Sequence, residues 1–150
     1  MKTTTPRNFL IILLAFLGLG AIGGGLTLII SPSGELMGMP VSILDNSPFS
    51  SFRIPGIVLL VVLGIVPVLL IFSLLKKPNW KFTESFNFFR DMHWAWSYTI
   101  YTAFAIIIWI QLQMMFIHDV DWLHTFYMFY AIAIIFVSLL PKVRNLYKKQ

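Results

Sequence analysis

The chain contains no cysteine. That removes a disulfide scaffold, a thiol redox enzyme, a cysteine nucleophile and a thiolate-held iron–sulfur cluster at once. Charge is nearly as scarce: 11% of the 150 residues are Asp, Glu, Lys or Arg, against roughly 25% in an ordinary soluble domain. With 58% hydrophobic residues and a mean hydropathy of +0.82, a water-soluble globule is excluded. No Gly-rich phosphate loop, nucleophile elbow or paired-carboxylate motif occurs, so the residues speak for architecture before chemistry.

What is present is apolar length. Four runs free of Asp, Glu, Lys and Arg cover Phe9 to Ile30, Ile54 to Leu75, Trp94 to Ile117 and Trp122 to Leu140, with 22, 22, 24 and 19 residues. As helices they reach about 28 to 36 Å, which matches a hydrocarbon core of about 30 Å. None alternates with the period of two that barrel strands need, and inside lipid every backbone N–H and C=O must be paired, so helices are expected. The expected fold is all-α: an antiparallel four-helix transmembrane bundle forming one membrane domain. An outer loop over 31–53 caps it, and a cytoplasmic loop over 76–93 holds a short interfacial helix.

Orientation follows from the basic residues. Lys2, Arg7, Lys76, Lys77, Lys81, Arg90, Lys142, Arg144, Lys148 and Lys149 fall on one side, against Arg53 on the other. The positive-inside bias places both termini in the cytoplasm, and the net charge of +5 is a matter of topology and anionic lipid headgroups, with no nucleic-acid partner implied. Lys2 and Arg7 ahead of an apolar run also resemble a signal peptide. The run is longer than a usual signal core and no small-x-small cleavage site follows it, so the segment is expected to be retained.

Span one carries Gly18, Gly20, Gly23, Gly24 and Gly25. Gly20 with Gly24, and Ala21 with Gly25, form small-xxx-small pairs that admit a neighbouring helix, either within the bundle or from a second molecule. In span two, Pro67 lacks the N–H that would reach the Leu63 carbonyl, and Gly64 relieves the clash, so a kink is expected. Gln111 and Gln113 of span three point about 200° apart, so at most one faces the interior. They serve as interhelical hydrogen-bond partners or as a polar ligand contact. Trp94, Trp96, Tyr98 and Tyr101 suggest an aromatic belt at the membrane interface.

His118, Asp119, Asp121 and His124 form the only metal-like constellation, since imidazole and carboxylate bind zinc where geometry allows. The alternative is structural: Asp121 caps span four and the acidic residues favour its N-terminus. No cofactor is expected, and a bis-histidine haem has no histidine within a span to hold it. The 31–53 loop mixes Met37, Met39, Ile43, Leu44, Phe49 and Phe52 with turn residues, so it should fold back over the helix ends rather than extend into water. Ser47, Pro48 and Phe49 are its ligand or partner candidates. In the opposite loop Phe82, Phe86 and Phe89 recur at helical spacing, with Glu84, Asn87 and Asp91 on the other face and Thr83 as a cap, which predicts an amphipathic helix in the headgroup layer.

Ser47-Pro48-Phe49 leading to Ile54-Pro55-Gly56, then Trp109-Ile110-Gln111-Leu112-Gln113, then Leu140-Pro141-Lys142-Val143-Arg144, resembles small four-span bacterial membrane proteins. That resemblance implies a compact bundle in a bacterial inner membrane and carries no activity. The topology is also similar to four-span redox enzymes of the vitamin K epoxide reductase type, whose chemistry a cysteine-free chain cannot perform. Three functional readings follow. The chain is a non-enzymatic subunit that associates with itself or with a membrane protein, a binder or carrier of a neutral or lipid-like molecule, or a metal-dependent enzyme built on the His/Asp cluster.

Overall fold

The computed structural model describes residues 5–150; Lys2, counted above with the basic residues, lies outside them. The described residues form six helices joined by loops: α1 Thr5–Ile30, α2 Arg53–Lys76, α3 Lys81–Ser85, α4 Trp94–Ile117, α5 Trp122–Leu139 and α6 Pro141–Tyr147. Of these, α1, α2, α4 and α5 are long and apolar enough to cross a membrane. Among the described residues α1 is already helical at Thr5, ahead of the apolar run. Helix α5 stops at Leu139 because residues before proline avoid the helical region, and Leu140 is extended (ψ 133°) ahead of Pro141. Outward faces of the long helices carry bare apolar side chains such as Ile12, Phe16, Ile108, Phe129 and Phe136, a continuous surface that lipid tolerates and water does not.

The long helices pack in chain order around a ring, α1 on α2, α2 on α4, α4 on α5 and α5 back on α1. The closest approach is between α1 and α2. A methyl group added at Gly25 would sit 2.8 Å from the Gly56 carbonyl oxygen and from the Leu60 nitrogen, and one at Gly56 would sit 2.8 Å from Leu28 Cβ. Farther along, Gly18 faces the Gly64 carbonyl and Gly64 faces Ile22. The packing face is therefore Gly18 and Gly25 against Gly56 and Gly64. Gly20 meets nothing within 4 Å, and Gly24 makes only an ordinary contact with Leu59, so that pair does not seat α2.

Helix α2 reaches this register by changing its winding. Arg53–Val58 is α-helical, Leu59–Ile65 is π-helical and Val66–Lys76 is α-helical again. The Val66 N–H reaches back five residues to the Val61 carbonyl. Between Gly18 and Gly25 an α-helix turns by about 700°, close to two full turns, whereas the eight steps from Gly56 to Gly64 would turn a straight α-helix by about 800°. The wider winding absorbs that surplus and returns both α2 glycines to the face that meets α1. Pro67 lies in the first turn of the α-helix that follows, where its missing N–H no longer interrupts a regular ladder.

The end of the bundle that carries the termini is closely packed. Leu10, Leu14, Leu70, Leu74, Trp94, Trp96, Ile134, Val143 and Tyr147 belong to one buried cluster there. Two sequence expectations change at this end. Trp94 and Trp96 are interior residues, each 2% exposed; their indole N–H groups donate to the Pro78 and Ser138 carbonyls at 2.8 Å, so they tie loop and helix together instead of ringing the surface. The amphipathic helix shrinks to the single short α3, and the Thr83 hydroxyl donates to the Trp80 carbonyl rather than capping the helix. The chain leaves helical geometry at Phe86 because Asn87, expected on the polar face, turns inward. It is 1% exposed, donates to the Met92 carbonyl at 2.8 Å, accepts the Ser97 hydroxyl at 2.6 Å and accepts the Phe89 N–H at 3.1 Å.

Helix α6 closes this end. The Tyr147 hydroxyl donates to the Leu74 carbonyl at 2.9 Å, and the His93 N–H donates to the Tyr147 carbonyl at 2.7 Å. Lys149 pairs with Glu84 at 2.7 Å, and its N–H donates to Asp91 at 2.8 Å. Burial drives the Tyr147 hydroxyl up to about 12, against a slight pull from Arg7, so it remains a donor throughout the ordinary pH range.

Candidate functional site

The opposite end, where the 31–53 loop and the 118–121 turn lie, is built differently. Its core is the small cluster of Leu28, Leu44 and Phe52, separated from the main one. The loop is held down by its own backbone. Gly34 adopts a left-handed conformation (φ 81°), and a side chain there would collide with the Met39 carbonyl and the Phe52 ring. The Phe52 N–H donates to the Pro32 carbonyl at 2.9 Å, and single turns of 3-10 helix at Glu35–Met37 and Val41–Leu44 fold the segment inward.

Beneath this roof the long helices separate around two adjoining cavities. One, of about 480 Å³, lies between α2 and α4, with Phe49, Phe52, Val62, Ala105, Ile108 and Phe116 among its walls. The other, of about 470 Å³, lies among α1, α4 and α5, with Gly20, Ala21, Gly24, Met37, Ile43 and Ile106 among its walls. Leu28, Met39, Leu59, Leu63, Trp109, Gln113 and Ile117 border both. Each is within the roughly 300–1,000 Å³ of small-molecule sites. The glycines of α1 thus have two duties: Gly18 and Gly25 admit α2, while Gly20 and Gly24 leave room on the cavity side.

The ionisable side chains of the lining belong to the second cavity. Asp119, Asp121, His124, Tyr127 and Gln113 line it. Asp121 is the N-cap of α5, as its position in the sequence suggested, and His124 completes the cap: its N–H donates to the Asp121 carbonyl and its Nδ1 accepts the Asp121 N–H, both at 3.0 Å. Asp119 Oδ1 accepts the Val120 N–H at 2.8 Å. His118 ends α4 in a left-handed conformation (φ 55°) and is exposed. Among the described residues no three His, Asp or Glu side chains converge to hold a metal, and His124 Nδ1 is occupied by a backbone N–H: Asp121 and His124 cap α5, Asp119 borders the second cavity beside them, and His118 lies outside it at the end of α4.

The two glutamines part as their spacing requires. Gln113 borders both cavities, while Gln111 is exposed on the outside of α4. Of the loop candidates, Phe49 lines the first cavity and packs edge-on to Phe116 with centroids 6.3 Å apart. Ser47 shapes the turn beneath it, donating to the Leu44 carbonyl at 2.8 Å and accepting the Phe49 N–H at 3.2 Å; Pro48 is exposed. Sequence reasoning missed Trp109, Tyr127 and the aliphatic walls, because a cavity-lining apolar residue looks like any other residue of an apolar helix. Comparison with protein-family models, curated proteins and solved structures finds no match to this chain.

Proposed function

We propose that the chain is a multi-pass membrane protein that binds or carries a lipid-like molecule in the twin cavity under the 31–53 loop. The observation that carries this reading is the pair of adjoining cavities of about 480 and 470 Å³ in a bundle whose other end is closely packed. Their lining is largely aliphatic and aromatic, which favours an alkyl chain over a planar polar solute. The charge bias supports an orientation with both termini in the cytoplasm of a bacterial inner membrane and the cavity roof on the outer side. Phe82, Phe86 and Phe88, exposed beside Lys81 and Arg90, then rest in the inner headgroup layer.

Self-association draws less support, since Gly18 and Gly25 are already occupied by α2 and Gly20 and Gly24 border a cavity. Native mass spectrometry of the protein released from mild nonionic detergent tests the binding reading. Addition of a single-chain lipid is expected to give a one-to-one adduct, weakened by Ala105→Phe, which fills the first cavity. Saturable binding absent from the intact chain, or binding unaffected by filling either cavity, overturns it.

A further inference from the structure

Arg7 stands two turns before Leu14 and three before Gly18, so it shares the face of α1 that meets α2. Gly18 lies beside Val68, and the antiparallel register then brings Arg7 level with Lys77 at the end of α2. Arg7 is half-buried, and its Nε is a buried nitrogen without a hydrogen-bond partner among the described residues. One Nη donates to the adjacent Asn8 Oδ1 at 3.3 Å, an acceptor that brings no charge. The carbonyls that end α2 are already taken, Ser73 by the Lys77 N–H and Leu74 by the Tyr147 hydroxyl.

Cations drawn into a protein normally meet an anion. Arg7 meets none here: the ion pair among the described residues is Lys149–Glu84, and Asp91, the other side-chain carboxylate of this end, is exposed beside the Lys149 backbone. Tyr147, 1% exposed, joins Arg7 to a second cation. The Lys77 ammonium lies 5.0 Å from the centre of its ring, and the Arg7 charge opposes the rise that burial gives its hydroxyl. Lys77 donates to the Leu146 carbonyl, which leaves its ammonium with donors to spare. Hydrocarbon surface begins next to this pair. Val68, Phe72 and Leu75 form an exposed stripe on α2 that runs along the α1 seam toward the two cations.

We propose that the junction of α1, α2 and α6 binds the phosphate of an anionic phospholipid, with Arg7 and Lys77 as its cations and an acyl chain along the Val68, Phe72 and Leu75 stripe. The guanidinium presents a planar fork to two phosphate oxygens, and the ammonium adds a point charge. A zwitterionic lipid carries the same phosphate, but its own ammonium would enter a field set by Lys76, Lys77 and Arg7, so net negative charge is selected. The site rests on the membrane reading and is independent of what fills the cavities at the other end.

The test uses the full chain in nonionic detergent, with bound lipid counted by native mass spectrometry. Dioleoyl phosphatidylglycerol is expected to bind about tenfold more tightly than dioleoyl phosphatidylcholine, and inorganic phosphate at equal concentration should not displace it. Arg7→Gln should remove most of that preference, and Arg7→Lys, which keeps the charge without the fork, should retain part of it. Arg90→Gln takes the same charge from the exposed loop before α4 and should leave the preference whole. Equal binding of the two lipids to the intact chain overturns the proposal without any variant. So does a preference that Arg90→Gln weakens as much as Arg7→Gln, which would mean a diffuse field, and so does displacement by inorganic phosphate, which would mean a free anion. Absence of single-chain lipid binding, with the phosphatidylglycerol preference intact, overturns the cavity reading alone.

Discussion

Gly25 and Gly56 lie so close across the α1–α2 interface that neither has room for a methyl group: a carbon added at Gly25 would stand 2.8 Å from the Gly56 oxygen, and one added at Gly56 would stand 3.0 Å from the Gly25 oxygen. The obstacle at each position includes backbone, which has no rotamer to yield. Lipid offers no hydrophobic drive to push helices together, so this contact depends on close van der Waals fit. Gly25→Ala is expected to destabilise the bundle by about 1–3 kcal/mol through overpacking. Gly23→Ala, at a position with nothing within 4 Å, should instead leave stability unchanged or raise it by up to about 1 kcal/mol, from helix propensity. Thermal unfolding of the two variants in the same detergent checks the contrast; equal midpoints would contradict it.

The π-helical stretch makes a second, sharper demand. Removing Val61, which is exposed, deletes the surplus residue and should restore α-helical winding through Leu59–Ile65. Gly64 then stands seven steps from Gly56, about 700° on an α-helix, and stays on the face that meets Gly18. The deletion is therefore expected to unfold near the midpoint of Val61→Ala, whereas insertion of one further alanine after Val61 adds about 100°, turns Gly64 off that face and should lower the midpoint well below both. A deletion as damaging as the insertion would show that the winding is not what aligns the glycines.

These two cases show where the sequence is readable and where it is not. The long helices follow from the length of uncharged apolar runs, a property each run has on its own, and the end of α5 agrees with proline chemistry at Pro141. Which glycines touch α2 is a property of two helices together. The small-xxx-small spacing marks Gly20 with Gly24 and Ala21 with Gly25, whereas the glycines that seat α2 are Gly18 and Gly25, seven apart, and the surplus residue in α2 has no composition of its own. Asn87 was misplaced for a related reason. Phe82, Phe86 and Phe89 do recur at helical spacing, but the buried bonds from Asn87 to Met92 and Ser97 are made only once α4 is present, and they end the helix at Phe86. Of the site, Gln113, Phe49 and the 119–124 turn were visible as polar or turn-forming exceptions in an apolar chain; Trp109 and Tyr127 were not, because nothing local distinguishes a cavity wall from a packed core.

At the termini end, pH should act through Glu84 and His93. Burial pushes the Glu84 carboxyl up, but hydrogen bonds from Lys149 and Asn87, the Lys149 charge and the Trp94 N–H together hold it below the usual carboxylate range. A carboxyl whose folded value is depressed contributes stability that is complete above its unfolded pKa, about 4.3, and is lost as pH falls through the folded value. His93 is also depressed, first by burial and against the opposing pull of Glu84, so protonation opposes folding as pH drops below about 6.5. Unfolding midpoints measured from pH 7 down to about pH 3 should fall in both windows. Glu84→Gln should remove the lower one, with a modest effect at neutral pH because the pair is partly solvated.

The absence of cysteine makes topology directly measurable. Single cysteines placed at Ser50, in the exposed part of the cavity roof, and at Gln150, at the exposed C-terminus, would each be the only thiol in the protein. In intact cells a membrane-impermeant maleimide is expected to label Ser50→Cys and to spare Gln150→Cys until the membrane is permeabilised. The reverse pattern would put the cavity roof on the cytoplasmic side, and labelling of both in intact cells would contradict the three crossings expected between the two positions.

Asn87 should be the most sensitive polar residue in the chain. It sits where α3 has ended and α4 is about to begin, and its amide satisfies the Met92 carbonyl, the Ser97 hydroxyl and the Phe89 N–H at once. Asn87→Ala leaves all of these buried groups without a partner, and at about 1–3 kcal/mol for an unsatisfied buried group the loss should reach roughly 2–4 kcal/mol after partial relaxation. Asn87→Asp keeps the oxygen that accepts from Ser97 and Phe89 but replaces the donor to Met92 with a second carboxylate oxygen, beside the Glu84 carboxylate that Asn87 now contacts at 3.3 Å. It is expected to be at least as damaging at neutral pH and to recover partly as pH falls and the new carboxyl takes up a proton, opposite in sign to the Glu84 effect. Ser97→Ala removes one bond of the set and should cost about 1 kcal/mol. A series in which Asn87→Ala matches Ser97→Ala would show that the loop is held by its tryptophans alone.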